Sequence, residues 1–266
     1  MSEVITFTSG KGGVGKTTTT ANVGVGLSQL DKKVVLVDTD IGLRNLDVVM
    51  GLENRILYHL LDVLSGKCRL KQALIRDWQN ENLFIIPSPL KTRGYKVTPE
   101  QMKHFTDELR ELFDYILIDS PAGIEEGFYN AIAGADRAIV VTTPHIAAIH
   151  DADQVLQCLK EEKVPKVELL LNRYQSKMVK NGDMLSKDDI CELLQVPLIG
   201  TIPEDTQIVI AQNHGESVMN KRTDAKEAYR SLCLSILGRP EETVPKREMK
   251  VNFFSVFQRR KEGQLT

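Results

Sequence analysis

Gly10-Lys11-Gly12-Gly13-Val14-Gly15-Lys16-Thr17 decides the fold. The stretch fits G-x-x-x-x-G-K-[ST], directly follows the β-branched run Val4-Ile5-Thr6-Phe7-Thr8 and opens a helical pattern near 16–30. Strand, glycine loop and helix in that order build a phosphate cradle. Glycines let successive backbone N–H groups turn towards one anion. The positive end of the following helix points at the same place. The Lys16 ammonium suits the outer phosphates as a point charge, and the Thr17 hydroxyl suits Mg2+. The candidate phosphate ligands are therefore Gly10, Lys11, Gly12, Gly13, Val14, Gly15, Lys16, Thr17 and Thr18.

Outward from this loop, short apolar runs alternate with helical patterns. The runs are 34–38, 83–86, 115–119, 138–142, 166–172 and 198–202, and the helical patterns lie near 98–112, 147–162, 186–194 and 222–237. Several runs are apolar at consecutive positions, as strands covered on both faces are. The expectation is a single-domain α/β P-loop NTPase over 1–238, with a mostly parallel, twisted sheet and helices on both faces. At 266 residues, with 42% hydrophobic and 26% charged, the chain can bury such a core. The 34 Lys+Arg nearly balance the 36 Asp+Glu, which excludes a protein basic along its whole length. No apolar run reaches membrane-span length, and none resembles a signal peptide. Cys68, Cys158, Cys191 and Cys233 form no C-x-x-C pair, so zinc and iron–sulfur chemistry is not indicated. Cytoplasm is the default compartment.

Ligands of open parallel sheets sit at the carboxyl ends of strands. Asp38 and Asp119 end two of the runs and are candidates to hold Mg2+ or its waters beside Thr17. Tyr115-Ile116-Leu117-Ile118-Asp119 has the Walker B form, apolar strand then Asp. Asp40, two residues past Asp38, is placed to orient the water that attacks a terminal phosphate. Positioning and charge stabilisation do most of the work in that reaction.

Lys11 adds to the general pattern. A second lysine five residues before Lys16 crowds its own loop unless it points outward, where it can reach a phosphate held by another copy. The loop KGGVGKTT thus resembles the deviant Walker A motif of the ParA/MinD ATPase family, in which this lysine crosses the interface of an ATP-sandwich dimer. Further segments resemble the MinD branch, which governs placement of the bacterial division site. Asp38-Thr39-Asp40-Ile41-Gly42-Leu43-Arg44-Asn45-Leu46-Asp47, running on to Met50-Gly51-Leu52-Glu53-Asn54-Arg55, looks like its switch I, and Asp119-Ser120-Pro121-Ala122-Gly123-Ile124-Glu125 like its switch II. Leu171-Asn172-Arg173-Tyr174 and Ile202-Pro203-Glu204-Asp205 look like its base-recognition segments. The likeness runs from residue 2 to about 237. It implies ATP and Mg2+ as cofactors and Lys11, Lys16 and Asp40 in hydrolysis. It also implies Thr17, Asp38 and Asp119 at the metal, Asn45 near the active site, and Asn172 and Pro203 against adenine. No guanine-type N-K-x-D motif occurs. The helix carrying Asp151 corresponds to the family's partner-binding surface.

The end of the chain changes character. Pro240 and Pro245 mark a linker over 239–249, followed by a candidate helix over 250–262. Over residues 246–261, six bases against the single acid Glu248 leave +5, and the rest of the chain −7. At 100° per residue, Phe253, Phe254 and Phe257 share an arc of about 100°, with polar residues opposite. Lys250, Arg259 and Arg260 are placed for anionic lipid headgroups. This is the pattern of a helix lying in a membrane interface, and the family's MinD branch ends in such a sequence.

The resulting expectation is a Mg-ATP-dependent homodimer that hydrolyses ATP slowly until stimulated. It binds the anionic inner face of the cell membrane reversibly. It recruits a division inhibitor of MinC type and answers to a MinE-type or other activator. Alternatives from the same family are a ParA-type DNA or cargo partitioner, disfavoured by the acidic core and Phe-rich tail, and a flagellar-number regulator. An iron–sulfur carrier of related fold would need the cysteine pairs that are absent.

Overall fold

The computed structural model describes residues 2–91 and 94–240. In chain order the elements are β1 Glu3–Thr8, α1 Lys16–Ser28, β2 Val34–Asp38, α2 Leu46–Val49, α3 Leu60–Leu64, α4 Leu70–Ala73, β3 Ile75–Arg76, β4 Leu83–Ile86, α5 Pro99–Arg110 and β5 Tyr115–Asp119. There follow α6 Glu126–Ile132, β6 Arg137–Thr142, α7 Ile146–Glu161, β7 Lys166–Tyr174, α8 Ser176–Asn181, α9 Lys187–Leu194, β8 Leu198–Pro203, α10 Thr206–Asn213 and α11 Asp224–Ile236.

The strands form one eight-stranded sheet in the order β3-β4-β2-β5-β1-β6-β7-β8. Every pairing is parallel except β3 with β4, a two-residue antiparallel strip at one edge. A short edge strand of this kind limits pairing with other chains.

The consecutive apolar residues are explained by helices on both faces. Along β2, Val34 and Leu36 pack into a core with α1 and α11, while Val35 and Val37 pack into a second core with α3 and α5. A third cluster joins β6 and β7 to α7 and α9. All of β2 and β6 is buried, as two-sided coverage requires. The expected α/β architecture and the main strands and helices are present, with boundaries within a few residues.

Helix starts follow local chemistry. Thr98 accepts from the Gln101 backbone N–H and Gln101 reaches back to Thr98, with Pro99 at the first helical position of α5. Ser186 caps α9 by the same reciprocal arrangement with Asp189.

The order of strands places the site. β5 lies between β1 and β2, with Phe7 opposite Asp119 and Asp38 opposite Asp119 in register. The glycine loop leaving β1 and the acids ending β2 and β5 therefore meet at one carboxyl edge.

Candidate nucleotide site at the carboxyl edge of the sheet

The loop from Ser9 to Gly15 delivers the chain into α1 without a side-chain cap. Gly15 stands at the cap position with φ 93°, and no side chain accepts from the first turn. The first amides of α1 are thus left for an anion. A Cβ at Gly15 would also collide with the Asn172 amide nitrogen. At the other end of the loop, a Cβ at Gly10 would collide with the backbone of Asp151, so α7 lies directly against the loop's start. Lys11 is exposed, while Val14 and Lys16 are buried.

The Lys16 ammonium donates to Asp119 Oδ1 at 3.0 Å, with only 7% and 1% of the two side chains exposed. Asp119 Oδ2 is buried and has no hydrogen-bond partner among the described residues. The backbone oxygen of Asp119 accepts from Thr39 N at 3.0 Å and Thr39 Oγ1 at 2.8 Å, which ties the end of β2 to the end of β5. Asp38 is fully buried, and its two oxygens accept from Asp40 N at 2.9 Å and Leu46 N at 3.2 Å. Burial, then the nearby charge of Asp119, push the Asp38 carboxyl up to about 7. Asp40 is also raised, by burial, although Lys16 opposes the shift. Its backbone is anchored where Ser88 Oγ donates to Asp40 O at 3.0 Å and Gly42 N donates to Pro89 O at 3.1 Å.

Farther along the edge, Asn172 near the end of β7 donates from Nδ2 to Val14 O at 2.7 Å. Its Oδ1 is buried without a partner among the described residues. Pro203 ends β8, paired with Tyr174.

The sequence candidates therefore fall into groups. Lys16, Asp38, Asp40, Asp119, Asn172 and the glycine loop share one edge. Asn45 is exposed at the start of α2, and Asp151 lies on α7 beside Gly10. Lys250, Phe253, Phe254, Phe257, Arg259 and Arg260 lie outside the described residues, as does the expected 250–262 helix. Thr39 and Ser88 are site-building residues that sequence reasoning did not single out. Both act through backbone oxygens of segments far away in the chain. A dipeptide Asp-Thr after a buried strand was the available signal for Thr39.

The donor set suits Mg2+. No group of three or more His, Cys, Asp or Glu side chains able to hold a metal exists among the described residues. Mg2+ is commonly held by one or two carboxylates with the remainder from water and substrate phosphates. Asp38, Asp119 with its unpartnered oxygen, and Thr17 fit that requirement.

An AAA domain family matches residues 2–169. The septum site-determining protein MinD of Bacillus subtilis is 49% identical over 248 residues, covering 92% of this chain and 91% of that protein. The chain belongs to the MinD family. The MinC:MinD cell division protein complex of Aquifex aeolicus matches with a TM-score of 0.84 at 41% identity, covering 92% of this chain and 98% of that one. The septum site-determining protein MinD complexed with Mg-ADP from Pyrococcus horikoshii matches with a TM-score of 0.80 at 31% identity, over 89% of this chain and 96% of that one. This MinD-family chain thus shares its fold with a nucleotide-bound relative along nearly its whole described length.

Proposed function

We propose that the protein is an ATP hydrolase whose Mg-ATP-bound form is a homodimer that sits on the inner membrane face and recruits a MinC-type division inhibitor. The observation that carries the reading is the buried Lys16–Asp119 pair beside Asp38, below an exposed Lys11. These are the charges that a nucleoside triphosphate and Mg2+ would engage. The Mg-ADP bound by the Pyrococcus relative and the MinC complex of the Aquifex relative support the cofactor and the partner.

Lys16, Thr17, Thr18 and the loop amides bind the phosphates, and Thr17, Asp38 and Asp119 hold Mg2+. When bound, Mg2+ neutralises charge on the outer phosphate oxygens. Lys16 leaves Asp119 for those oxygens. Asp40 orients the attacking water, whose oxygen bonds to the terminal phosphorus as the bond to the bridging oxygen breaks, giving ADP and phosphate. Asn172 Oδ1 accepts from the adenine amino group, and Pro203 covers the ring. Lys11 reaches the phosphates of the second subunit, and Asn45 lines the switch beside them. Hydrolysis stays slow until the membrane or a MinE-type activator completes the site. The partner face includes Asp151, whose backbone contact with Gly10 joins that face to the phosphate loop.

Membrane attachment belongs to 250–262, beyond the linker 239–249. Among the described residues no helix is long and apolar enough to cross a bilayer. A segment with three Phe gains about 1.5–3 kcal/mol per buried ring and about 1 kcal/mol per basic residue near anionic lipid, against an ordering cost of about 1–2 kcal/mol per residue. A single tail thus binds weakly. Two linked tails raise avidity by about 10²–10⁴, so dimerisation alone makes ATP a membrane switch.

Sedimentation velocity on the full chain with Mg2+ and a non-hydrolysable ATP analogue tests the dimer. A dimer is expected for the native chain and a monomer for Lys11→Ala. A native chain that stays monomeric overturns the reading.

A further inference from the structure

Gln212, on α10, lies 194 residues from Thr18 and donates from Nε2 to Thr18 Oγ1 at 2.6 Å. Thr18 is in the first turn of α1, two residues past the phosphate-loop lysine. Its backbone oxygen is held as well, accepting from Asn22 Nδ2 at 2.8 Å. Asn22 Oδ1 in turn accepts from Ser217 Oγ at 2.6 Å and Val218 N at 3.1 Å. Residues 212–218 thus grip the first turn of α1 at the hydroxyl and, through Asn22, at the backbone.

The hydroxyl proton of Thr18 is left over. A helical threonine commonly donates to the carbonyl four residues back, as Thr20 does to Lys16 O at 3.1 Å. For Thr18 that carbonyl is Val14 O, to which Asn172 Nδ2 donates at 2.7 Å and Thr18 Oγ1 does not. Among the described residues no acceptor takes the Thr18 proton. A hydroxyl that accepts one hydrogen bond becomes a better donor in the next.

We propose that Gln212 is a positioning residue for nucleotide binding: by donating to Thr18 Oγ1 it fixes the rotamer and turns the Thr18 proton towards a phosphate oxygen. The proposal rests on Thr18 being a phosphate ligand, as the functional reading above has it. It also ties nucleotide binding to α10, the element that follows the base-recognition strand β8.

The test is Mg-ADP affinity by isothermal titration calorimetry on the full chain, in a double-mutant cycle of Thr18→Val and Gln212→Ala, with Gln212→Met as an uncharged variant of similar length lacking the amide donor. Gln212→Ala and Gln212→Met should each weaken binding about three- to tenfold, the range of one net hydrogen bond. Thr18→Val should weaken it at least as much. In the Thr18→Val background, Gln212→Ala should add less than about 1.5-fold, because the two side chains act as one unit. Denaturation midpoints of the nucleotide-free variants are measured alongside, and those of both Gln212 variants should stay close to native. Equal effects of Gln212→Ala in both backgrounds would overturn the proposal, as would unchanged affinity in both Gln212 variants. Unchanged affinity in Thr18→Val alone removes Thr18 from the phosphate site and the proposal with it, yet leaves the roles of Lys16 and Asp119 standing.

Discussion

Lys16 and Asp119, 103 residues apart, meet as a buried ion pair at 3.0 Å between the phosphate loop and the end of β5. The lysine proposed to grip a triphosphate is held on the carboxylate proposed to face the metal. Binding therefore exchanges one set of charge partners for another, and neither group need be buried unpaired at any stage.

Removing the lysine has two consequences. Lys16→Ala leaves Asp119 buried without its cation, which costs about 3 kcal/mol for an orphaned buried charge. The nucleotide-free variant should accordingly melt below the native protein. It should also lose the rise in melting temperature that Mg-ADP gives the native chain, since only ligand bound to the folded state stabilises. Thermal denaturation with and without Mg-ADP checks both, and a variant still stabilised by Mg-ADP would remove Lys16 from its role.

Asp40→Ala should separate binding from chemistry. ATP should still bind, because the loop, Lys16 and Asp119 are intact. The single-turnover rate of phosphate release should fall at least about 100-fold, the usual scale for a group that guides proton transfer or the attacking water. Unaltered turnover would show that another group positions the water.

Stability should fall with rising pH through Asp38. Its carboxyl, at about 7 in the fold against an ordinary value of 3.8, keeps a proton that the unfolded chain has released over that interval. The folded state then binds more protons, so each step up in pH between these values favours unfolding, by a few kcal/mol in all. Melting temperatures of the nucleotide-free native chain should drop more steeply from pH 4 to pH 8 than those of Asp38→Asn. Asn keeps one acceptor for the backbone of Asp40 or Leu46 and cannot ionise. Parallel curves would contradict the raised value.

Base selection should reside in Asn172. Its buried, unpartnered Oδ1 calls for a donor, which adenine supplies and hypoxanthine, with a carbonyl in the same place, does not. ADP should bind at least about tenfold tighter than IDP, and Asn172→Ala should erase most of that preference. Competition titrations measure it. Equal discrimination in native and variant proteins would place base recognition elsewhere.

Much of this was legible in the residues. The glycine loop declares itself because backbone conformation and phosphate geometry leave few alternatives, and Val34 to Val37 read as a two-sided strand because a short, β-branched run of consecutive apolar residues suits a strand covered on both faces. β3 was not legible, since two residues carry no periodicity, and Ile75-Arg76 pairs with β4 only because the edge was open. The four- and five-residue helices α2, α3 and α4 are too short to show a face. Asp38 could be placed at a strand end, but its shifted carboxyl depends on its burial in the fold and then on Asp119 arriving beside it on the neighbouring strand β5. The bonds from Gln212 to Thr18 and from Ser88 to Asp40 lie beyond any local pattern, because tertiary packing alone sets which polar side chain meets which.

The most direct measurement is co-sedimentation of the full chain with anionic phospholipid vesicles under ATP, ADP and no nucleotide, each with Mg2+. The chain should pellet with the vesicles in ATP and stay in the supernatant in the other two conditions. Equal pelleting in all three, or none in ATP, would contradict a nucleotide-driven membrane switch.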